Sequence, residues 1–295
     1  MKPYIIFNPT AGSILNVDVL REQLRRLNPK ELRLTQRAGE AESFAREVTR
    51  GGCSYVIVAG GDGTLNEVIN GIATPHFRRG IRVGIVPLGT ANDFARSIGL
   101  PPELEENIEI LRAKQTVSID LVRVKSKRTR YFVNVSSGGF SGLVDEKLTP
   151  GIKATWGPLA YLRSAAAALP ELHAYHTTMV FDDMERLVLE LYNVIVANGR
   201  FVAGGLPIAP EADLSDGLLD VVLVPKHPAP KMALLAAEML LGKHLSSNAL
   251  IFRRARKISV RSRPGMCFNV DGELVGNAPA VFQIAPRALE FVVGK

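Results

Sequence analysis

At 295 residues, with 46% hydrophobic, 22% charged and 6% aromatic residues, the chain lies in the ordinary globular range. That excludes wholesale disorder, collagen-like repeats and coiled coil, and the length suits two domains of about 100–200 residues each. Thirty-six Lys and Arg against 29 Asp and Glu give a net charge of +7, which points to an anionic partner: nucleotide phosphate, nucleic acid or an acidic membrane surface.

In chain order, Tyr4 to Phe7 predicts a short strand ended by Asn8-Pro9-Thr10-Ala11-Gly12, and Val17, Leu20, Leu24 and Leu27 then recur at helical spacing. A weaker strand at Leu32 to Thr35 leads to a helix carrying Ala41, Phe44, Ala45 and Val48. Tyr55 to Ala59 is a fully apolar strand, followed by Gly60-Gly61-Asp62-Gly63-Thr64 and a helix with Leu65, Val68, Ile69 and Ile72 on one face. A fourth strand, Val83 to Val86, runs into Pro87 to Arg96, and a helix follows near Leu104 to Leu111. Continuous apolar strands alternating with amphipathic helices predict a parallel sheet covered on both faces, with ligands at the carboxyl ends of the strands.

The rhythm then changes. Val117 to Val124, Tyr131 to Val135, Thr177 to Phe181, Leu187 to Val196, Leu218 to Val224 and Ile258 to Val260 all read as strands, interrupted by helices near Pro158 to Leu169 and from Pro230 to about Leu245. This predicts an all-β second domain beginning near residue 120. Tyr4 to Phe7 is too short for the core of a secretory signal. Met232 to Leu241, broken by Glu238, is about half of the ~20 residues a bilayer span needs. Any membrane is therefore met from outside. Cys53 and Cys267 fall in no CxxC or Cys/His spacing, so neither a disulfide framework nor a zinc site is indicated, and a reducing cytoplasm is the default.

Gly60 to Thr64 combines glycines that let the backbone turn and approach a ligand with a helix N-terminus that favours anions. No Gly-Lys-Ser/Thr follows, so it is no P-loop, and the GxGxxG spacing fails. Asp62 in such a loop makes sense beside polyphosphate only with a cation such as Mg²⁺ nearby. Equally, Thr64 and Glu67 fit a capping box that does no more than start the helix. Asp213-Leu-Ser-Asp216-Gly-Leu218 puts two carboxylates and a turn carbonyl within six residues, as Mg²⁺ prefers, or else forms an Asp-Gly turn into the next strand. His173 and His176 have no third ligand, and Asn134-Val135-Ser136 is a sequon inside a strand, so both read as bland.

Gly60 to Val68 resembles the signature of the diacylglycerol-kinase-type lipid kinases, the group that includes sphingosine and ceramide kinases. Asn8 to Gly12 and Pro87 to Arg96 resemble its other two nucleotide loops. The resemblance continues through Asn134 to Gly139, Gly157-Pro158-Leu159-Ala160-Tyr161, Asn198-Gly199-Arg200, Ala209-Pro210, Asp216 to Val221 and Asp271-Gly272-Glu273. It implies a three-layer α/β nucleotide-binding domain with a mostly parallel sheet at 1–120, to which 286–295 returns, and a β-sandwich lipid-substrate domain at 121–285. By matching motif it implies ATP contacts at Asn8, Pro9, Thr10, Ala11, Gly12, Thr35, Gly61, Asp62, Gly63, Thr64, Leu65, Asn66 and Thr90. It further implies a structural Mg²⁺ site at Asp213, Asp216 and the carbonyl of Leu218, and Glu273 as general base. Asp62, Asp93 and Asp120 complete an acidic group suited to catalytic Mg²⁺, each with a turn or cap role as the alternative. Ala11 and Ala91 stand where the family commonly has serine and glycine.

The expected activity is transfer of the γ-phosphoryl group of ATP, with Mg²⁺, to a membrane-lipid hydroxyl, diacylglycerol first. The partners are ATP and a lipid at the membrane surface, with a homodimer allowed for, and the location is cytoplasmic, peripheral to the inner face of the membrane. The apolar helix Lys231 to Lys243 reads as core or as a lipid lid, and Arg253, Arg254, Arg256, Lys257, Arg261 and Arg263 beside it would suit an anionic bilayer. NAD kinase, which shares the Gly-Gly-Asp-Gly-Thr loop, is the rival enzyme, and a silent nucleotide- or lipid-binding regulator is the rival of another class. Nucleic acid is not expected, because no binding motif appears and the basic residues are not interleaved with aromatics.

Overall fold

A computed structural model of the chain describes residues 2–12, 14–73, 80–147, 151–152, 163–164, 167, 171–240, 243–277 and 279–294. Two compact units emerge, Met1–Leu121 with Pro286–Lys295, and Val122–Ala285. The first is an α/β unit with a parallel sheet, the second an antiparallel β-sandwich. The motif at 157–161 and most of the helix expected at Pro158 to Leu169 lie outside the described residues.

In the first unit the elements alternate: β1 (Tyr4–Phe7), α1 (Val17–Arg25), β2 (Glu31–Leu34), α2 (Glu40–Arg50), β3 (Tyr55–Gly60), α3 (Asp62–Ala73), β4 (Arg82–Pro87), α4 (Asp93–Ser97) and α5 (Leu104–Ala113). All six residues of β3 are buried, as its unbroken apolar run requires when helices cover both faces. The sheet runs β2-β1-β3-β4 with every pair parallel. Sequence order therefore reverses at β1, and the loops after β1 and β3 diverge from the carboxyl edge where such sheets bind ligands. The C-terminal end of β17 (Ala280–Val292) joins the far edge, pairing Glu290 with Arg82 and Phe291 with Val83. The short helix α4 is an element that the sequence pattern missed; five residues are too few to display a period.

The second unit contains β6 (Thr129–Phe132), β7 (Val135–Gly139), α6 (Phe140–Lys147), β8 (Tyr175–Phe181), β9 (Glu185–Ala197), β10 (Phe201–Val202), β11 (Leu206–Pro207), β12 (Leu219–Pro225), α7 (Ala229–Leu240), β13 (Ile251–Ala255), β14 (Lys257–Arg263), β15 (Phe268–Val270) and β16 (Glu273–Gly276). The unit boundaries fall within β17 and within β5 (Thr116–Lys125). One layer orders β16-β15-β7-β9-β12-β13, and the other runs from β9 through β8 and β14 to β17. Between them the rings of Phe132, Phe282 and Phe268 meet edge to face, with centroids 6.3 and 5.2 Å apart. Each such buried ring contributes about 1.5–3 kcal/mol of apolar transfer energy.

Two local expectations are corrected. The strand expected at Tyr131 to Val135 is two strands, β6 and β7, broken at 133–134, where the side chains of Asp271 and Asn198 and the backbone N–H groups of Asn198 and Gly199 take the backbone bonds in place of a strand ladder. The helix expected to reach about Leu245 is described as α7 as far as Leu240; Lys243 is no longer helical, and His244–Ser246 forms a 3₁₀ turn. No described helix is long and apolar enough to cross a membrane.

Candidate active site

Three loops meet at the carboxyl edge of the parallel sheet. In the first, Asn8 folds the turn: its Oδ1 accepts from the Thr10 N–H (3.0 Å) and hydroxyl (2.9 Å), and its Nδ2 donates to Thr64 Oγ1 at 3.0 Å. Gly12 has φ +56°, and a Cβ there would lie 2.1 Å from the Leu88 carbonyl oxygen. The second and third loops touch backbone to backbone: a Cβ on Gly89 would stand 2.6 Å from Gly61 Cα, and one on Gly61 2.9 Å from Gly89 Cα. Asn92 closes the third loop by donating to the Gly89 carbonyl and accepting its N–H. Only residues without side chains allow this approach, and it leaves the N-terminus of the twelve-residue α3 at the junction.

The expected nucleotide residues fall around this junction in different ways. Thr10, Gly12, Gly63 and Thr90 are exposed; Asn8, Pro9, Gly61 and Asp62 are half-buried; Ala11, Thr35, Thr64, Leu65 and Asn66 are buried. Thr35 is held by its own N–H on the Phe7 carbonyl (2.9 Å), and Asn66 Oδ1 accepts from Asn70 Nδ2 at 2.6 Å.

The capping box is not formed. The helix begins at Asp62, so Thr64 sits inside its first turn. Glu67 instead reaches across to α2, accepting the N–H groups of Gly39 (2.9 Å) and Ala41 (3.1 Å). α2 has no cap of its own, because Gly39 has no side chain to supply one.

Of the acidic group, Asp62 reaches the backbone N–H of Asp93, and Asp120 is tied elsewhere. Asp62 spreads its oxygens over the N–H groups of Asp93 and Phe94, both at 3.4 Å, and so caps α4, whose N-cap Asn92 turns its side chain to Gly89 and supplies no cap bond. Burial pushes the Asp62 carboxyl up, with the N–H groups of Phe94, Asp93 and Asn92 opposing. Asp93 is buried at the start of α4. Asp120, fully buried, accepts the Arg287 N–H at 2.6 Å, where β17 turns through φ +50°.

In the second unit, three motifs that stand far apart in sequence converge on the strand break. Asp271 Oδ2 accepts the Val133 N–H at 3.1 Å and the Asn134 N–H at 3.4 Å, and Oδ1 accepts that of Val135 at 2.9 Å. Asn198 Nδ2 donates to the Val133 carbonyl (2.7 Å), and the N–H groups of Asn198 and Gly199 donate to that of Asn134 (2.8 and 2.9 Å). The turn thus pinned delivers Glu273, whose Oε1 accepts from Arg130 Nη2 (2.9 Å) and Nε (3.3 Å) and pairs with Arg128 Nη2 (2.6 Å). Neither arginine stands among the residues that the sequence pattern singles out.

Asp213 and Asp216 each fold their own loop. Asp213 Oδ1 accepts the N–H (2.9 Å) and hydroxyl (2.8 Å) of Ser215, which hold its carboxyl below the usual range. Asp216 Oδ1 accepts the Leu218 N–H at 2.9 Å, and its Oδ2 pairs with Arg254. Arg254 also reaches Asp220 at 3.2 Å. Among the described residues no three Asp, Glu, His or Cys side chains converge on one point. The donors nevertheless fit a hard cation in type, and Asp220 Oδ2 is buried without a hydrogen-bond partner. Burial, and after it the charges of Asp216 and Glu211, push the Asp220 carboxyl up against the pull of Arg254. A magnesium ion here would share these carboxylates with Arg254.

Comparison with known proteins covers both units. The family model for the diacylglycerol kinase catalytic domain matches residues 2–124, and that for the YegS C-terminal NAD kinase beta sandwich-like domain matches 134–293. A diacylglycerol kinase of Staphylococcus carnosus (strain TM300) is 30% identical over 295 residues, 99% of this chain and 94% of that protein. A diacylglycerol kinase structure from Bacillus anthracis str. Sterne superposes with a TM-score of 0.74 at 19% identity, covering 99% of this chain and 97% of that one. An NAD kinase from Archaeoglobus fulgidus, solved in complex with ATP, gives a TM-score of 0.54 at 14% identity over 99% of this chain and 93% of its own. These structural likenesses concern the fold.

Proposed function

Because the chain belongs to the diacylglycerol kinase family and is a lipid kinase, we propose that it transfers the γ-phosphoryl group of ATP, in the presence of Mg²⁺, to the free hydroxyl of diacylglycerol, giving phosphatidic acid and ADP. The observation that carries this reading is the junction of three Gly-bearing loops at the start of α3, with Gly12 on Leu88 and Gly61 on Gly89. Backbone N–H groups and the helix dipole there favour polyphosphate without a P-loop lysine.

Positioning and charge stabilisation dominate phosphoryl transfer. The N–H groups of the loop at 61–63 would hold phosphate oxygens, and the capped α4 would keep Gly89 and Thr90 in place beside them. Glu273 would take the hydroxyl proton on a carboxylate oxygen as the O–P bond forms. Bound Mg²⁺ would supply charge neutralisation of the phosphates, with Asp62 and Asp93 the carboxylates suited to it. A second ion at Asp213 and Asp216 would be structural, offsetting the local negative charge that Arg254 only partly balances. In that case millimolar Mg²⁺ raises the urea midpoint of the wild type and leaves that of Asp213→Ala unmoved.

A membrane-surface partner is supported by one face of the sandwich. Antiparallel register places Arg263 beside His176 and Arg261 beside Thr178, and on the next strand Val188 opposite Thr178 and Arg186 opposite Val180, all directed away from the core. Arg123 joins this face through Gln283 at 2.6 Å, with exposed Lys125 two residues on. Arg123, Lys125, Arg186, Arg261 and Arg263 have no carboxylate partner among the described residues. The basic cluster expected beside α7 is divided differently: Arg253 pairs with Glu185, Arg254 with Asp216 and Asp220, and Lys257 with Asp183. Side chains at 236, 237 and 239–242 lie outside the described residues, so α7 adds no argument about a lid. At about 1 kcal/mol per basic residue near an anionic bilayer, five such groups suffice for reversible attachment.

The test is Mg²⁺-dependent transfer of labelled γ-phosphate from ATP to diacylglycerol in mixed micelles, with NAD as a parallel acceptor and Glu273→Gln as control. Labelled phosphatidic acid that disappears in the variant supports the proposal. Labelled NADP, or undiminished turnover by Glu273→Gln, overturns it.

A further inference from the structure

Glu273 leaves its turn with its backbone fixed and its side chain still to be oriented. Asp271 and Gly272 adopt φ of +43° and +94°, and the Gly272 N–H is held by Asn269 Oδ1 at 2.8 Å. Together with the three N–H groups on the Asp271 carboxylate, this fixes the Glu273 Cα. A glutamate side chain on a fixed Cα keeps its rotamer freedom, which spreads its carboxylate over several positions. Arg130 removes that freedom with two nitrogens on one oxygen. Its side chain is 19% exposed against 54% for Arg128, and exposed ion pairs hold geometry weakly. Arg130 stands on β6 opposite Val124, a core residue, and its stem is thereby confined.

We infer that Arg130 is a positioning residue for the reaction: by holding Glu273 Oε1 it presents Oε2 to the acceptor hydroxyl. Every bond to Glu273 described above ends on Oε1, and Oε2 has no partner among the described residues. The inference rests on the reading of Glu273 as proton acceptor. In the step it serves, the acceptor oxygen bonds to the γ-phosphorus and the bond from that phosphorus to the ADP oxygen breaks. The hydroxyl proton passes to Oε2 and later to solvent, so no further reactant is needed.

A role exerted through Glu273 differs from a direct grip on phosphate in a double-mutant cycle. Single-turnover rates and Michaelis constants for ATP and diacylglycerol would be measured for Arg130→Gln, Glu273→Gln and the double variant, with thermal melting to verify folding. Arg130→Gln should slow phosphoryl transfer by ~10²-fold, the scale of an ångström-sized misplacement. Both Michaelis constants should stay within about twofold, since ground-state binding is untouched. In the Glu273→Gln background the same change should cost nothing further. Arg130→Lys, which keeps the charge but loses the two-point hold, should recover part of the rate, and it carries the same cycle if Arg130→Gln does not fold. An equal loss in both backgrounds, or a raised constant for ATP at unchanged rate, would overturn the inference in favour of direct phosphate binding. Undiminished transfer by Glu273→Gln would instead remove the reading beneath it.

Discussion

Replacing Gly12 by alanine should disable the three-loop junction proposed to hold the nucleotide far more than its single methyl group suggests. Two costs add. The residue sits at φ +56°, a region that costs a side-chain-bearing residue roughly 1–2 kcal/mol. The new Cβ would also stand 2.1 Å from the Leu88 carbonyl oxygen, whereas carbon and oxygen settle at about 3.3–3.6 Å. The first and third loops must therefore separate by more than about an ångström, because the atom met is backbone and cannot swing aside. Misplacement on that scale costs ~10²-fold in reactions that depend on positioning. We expect kcat/KM for ATP to fall by about that factor, and the urea midpoint to drop by the equivalent of ~2 kcal/mol or more once strain is included. Steady-state kinetics and urea unfolding of the purified variant measure both. A variant with wild-type affinity for ATP and an unchanged midpoint would refute the close packing of these loops.

Glu67→Ala should cost about 1–2 kcal/mol by uncapping α2, with faster amide exchange at Gly39 and Ala41; faster exchange at 64–67 instead would restore the local capping box. Asp62→Asn should be more stable than the wild type at neutral pH. With its folded-state carboxyl pushed up by burial, Asp62 contributes stability that is whole below the unfolded value and lost as pH rises through the folded one. The advantage of the amide should therefore vanish as pH falls below the ordinary carboxylate range. A variant less stable at about pH 7 would show that the N–H bonds outweigh burial. Asp120→Ala should cost about 1–3 kcal/mol by orphaning the Arg287 N–H, and continued slow exchange of that amide would count against the assignment.

Much of the first unit was legible because its signals are local. The buried run Tyr55 to Ala59 needs no partner to declare itself a central strand, and Gly60 to Gly63 announces a turn into a helix through residues that are adjacent. Capping was misread because Thr64 and Glu67 have the spacing of a box, while the carboxylate of Glu67 serves an N-terminus 26–28 residues earlier. The strand break at 133–134 was invisible because the groups that replace the ladder come from Asn198 and Asp271. The basic cluster after α7 looked uniform in sequence, yet strand register gave Arg254 to acidic neighbours and turned Arg261 and Arg263 outward.

The sequence by itself determined the alternation of strand and helix, the change to β-structure near residue 120, and the chemical kinds on which the proposed reaction draws. These depend on periodicity and turn chemistry within a few residues. Tertiary structure alone decided which charges meet: Asp62 with the start of α4, Asp216 with Arg254, and Glu273 with an arginine 143 residues away. Such pairings follow from sheet order and register, which couple residues that the local chain never brings together.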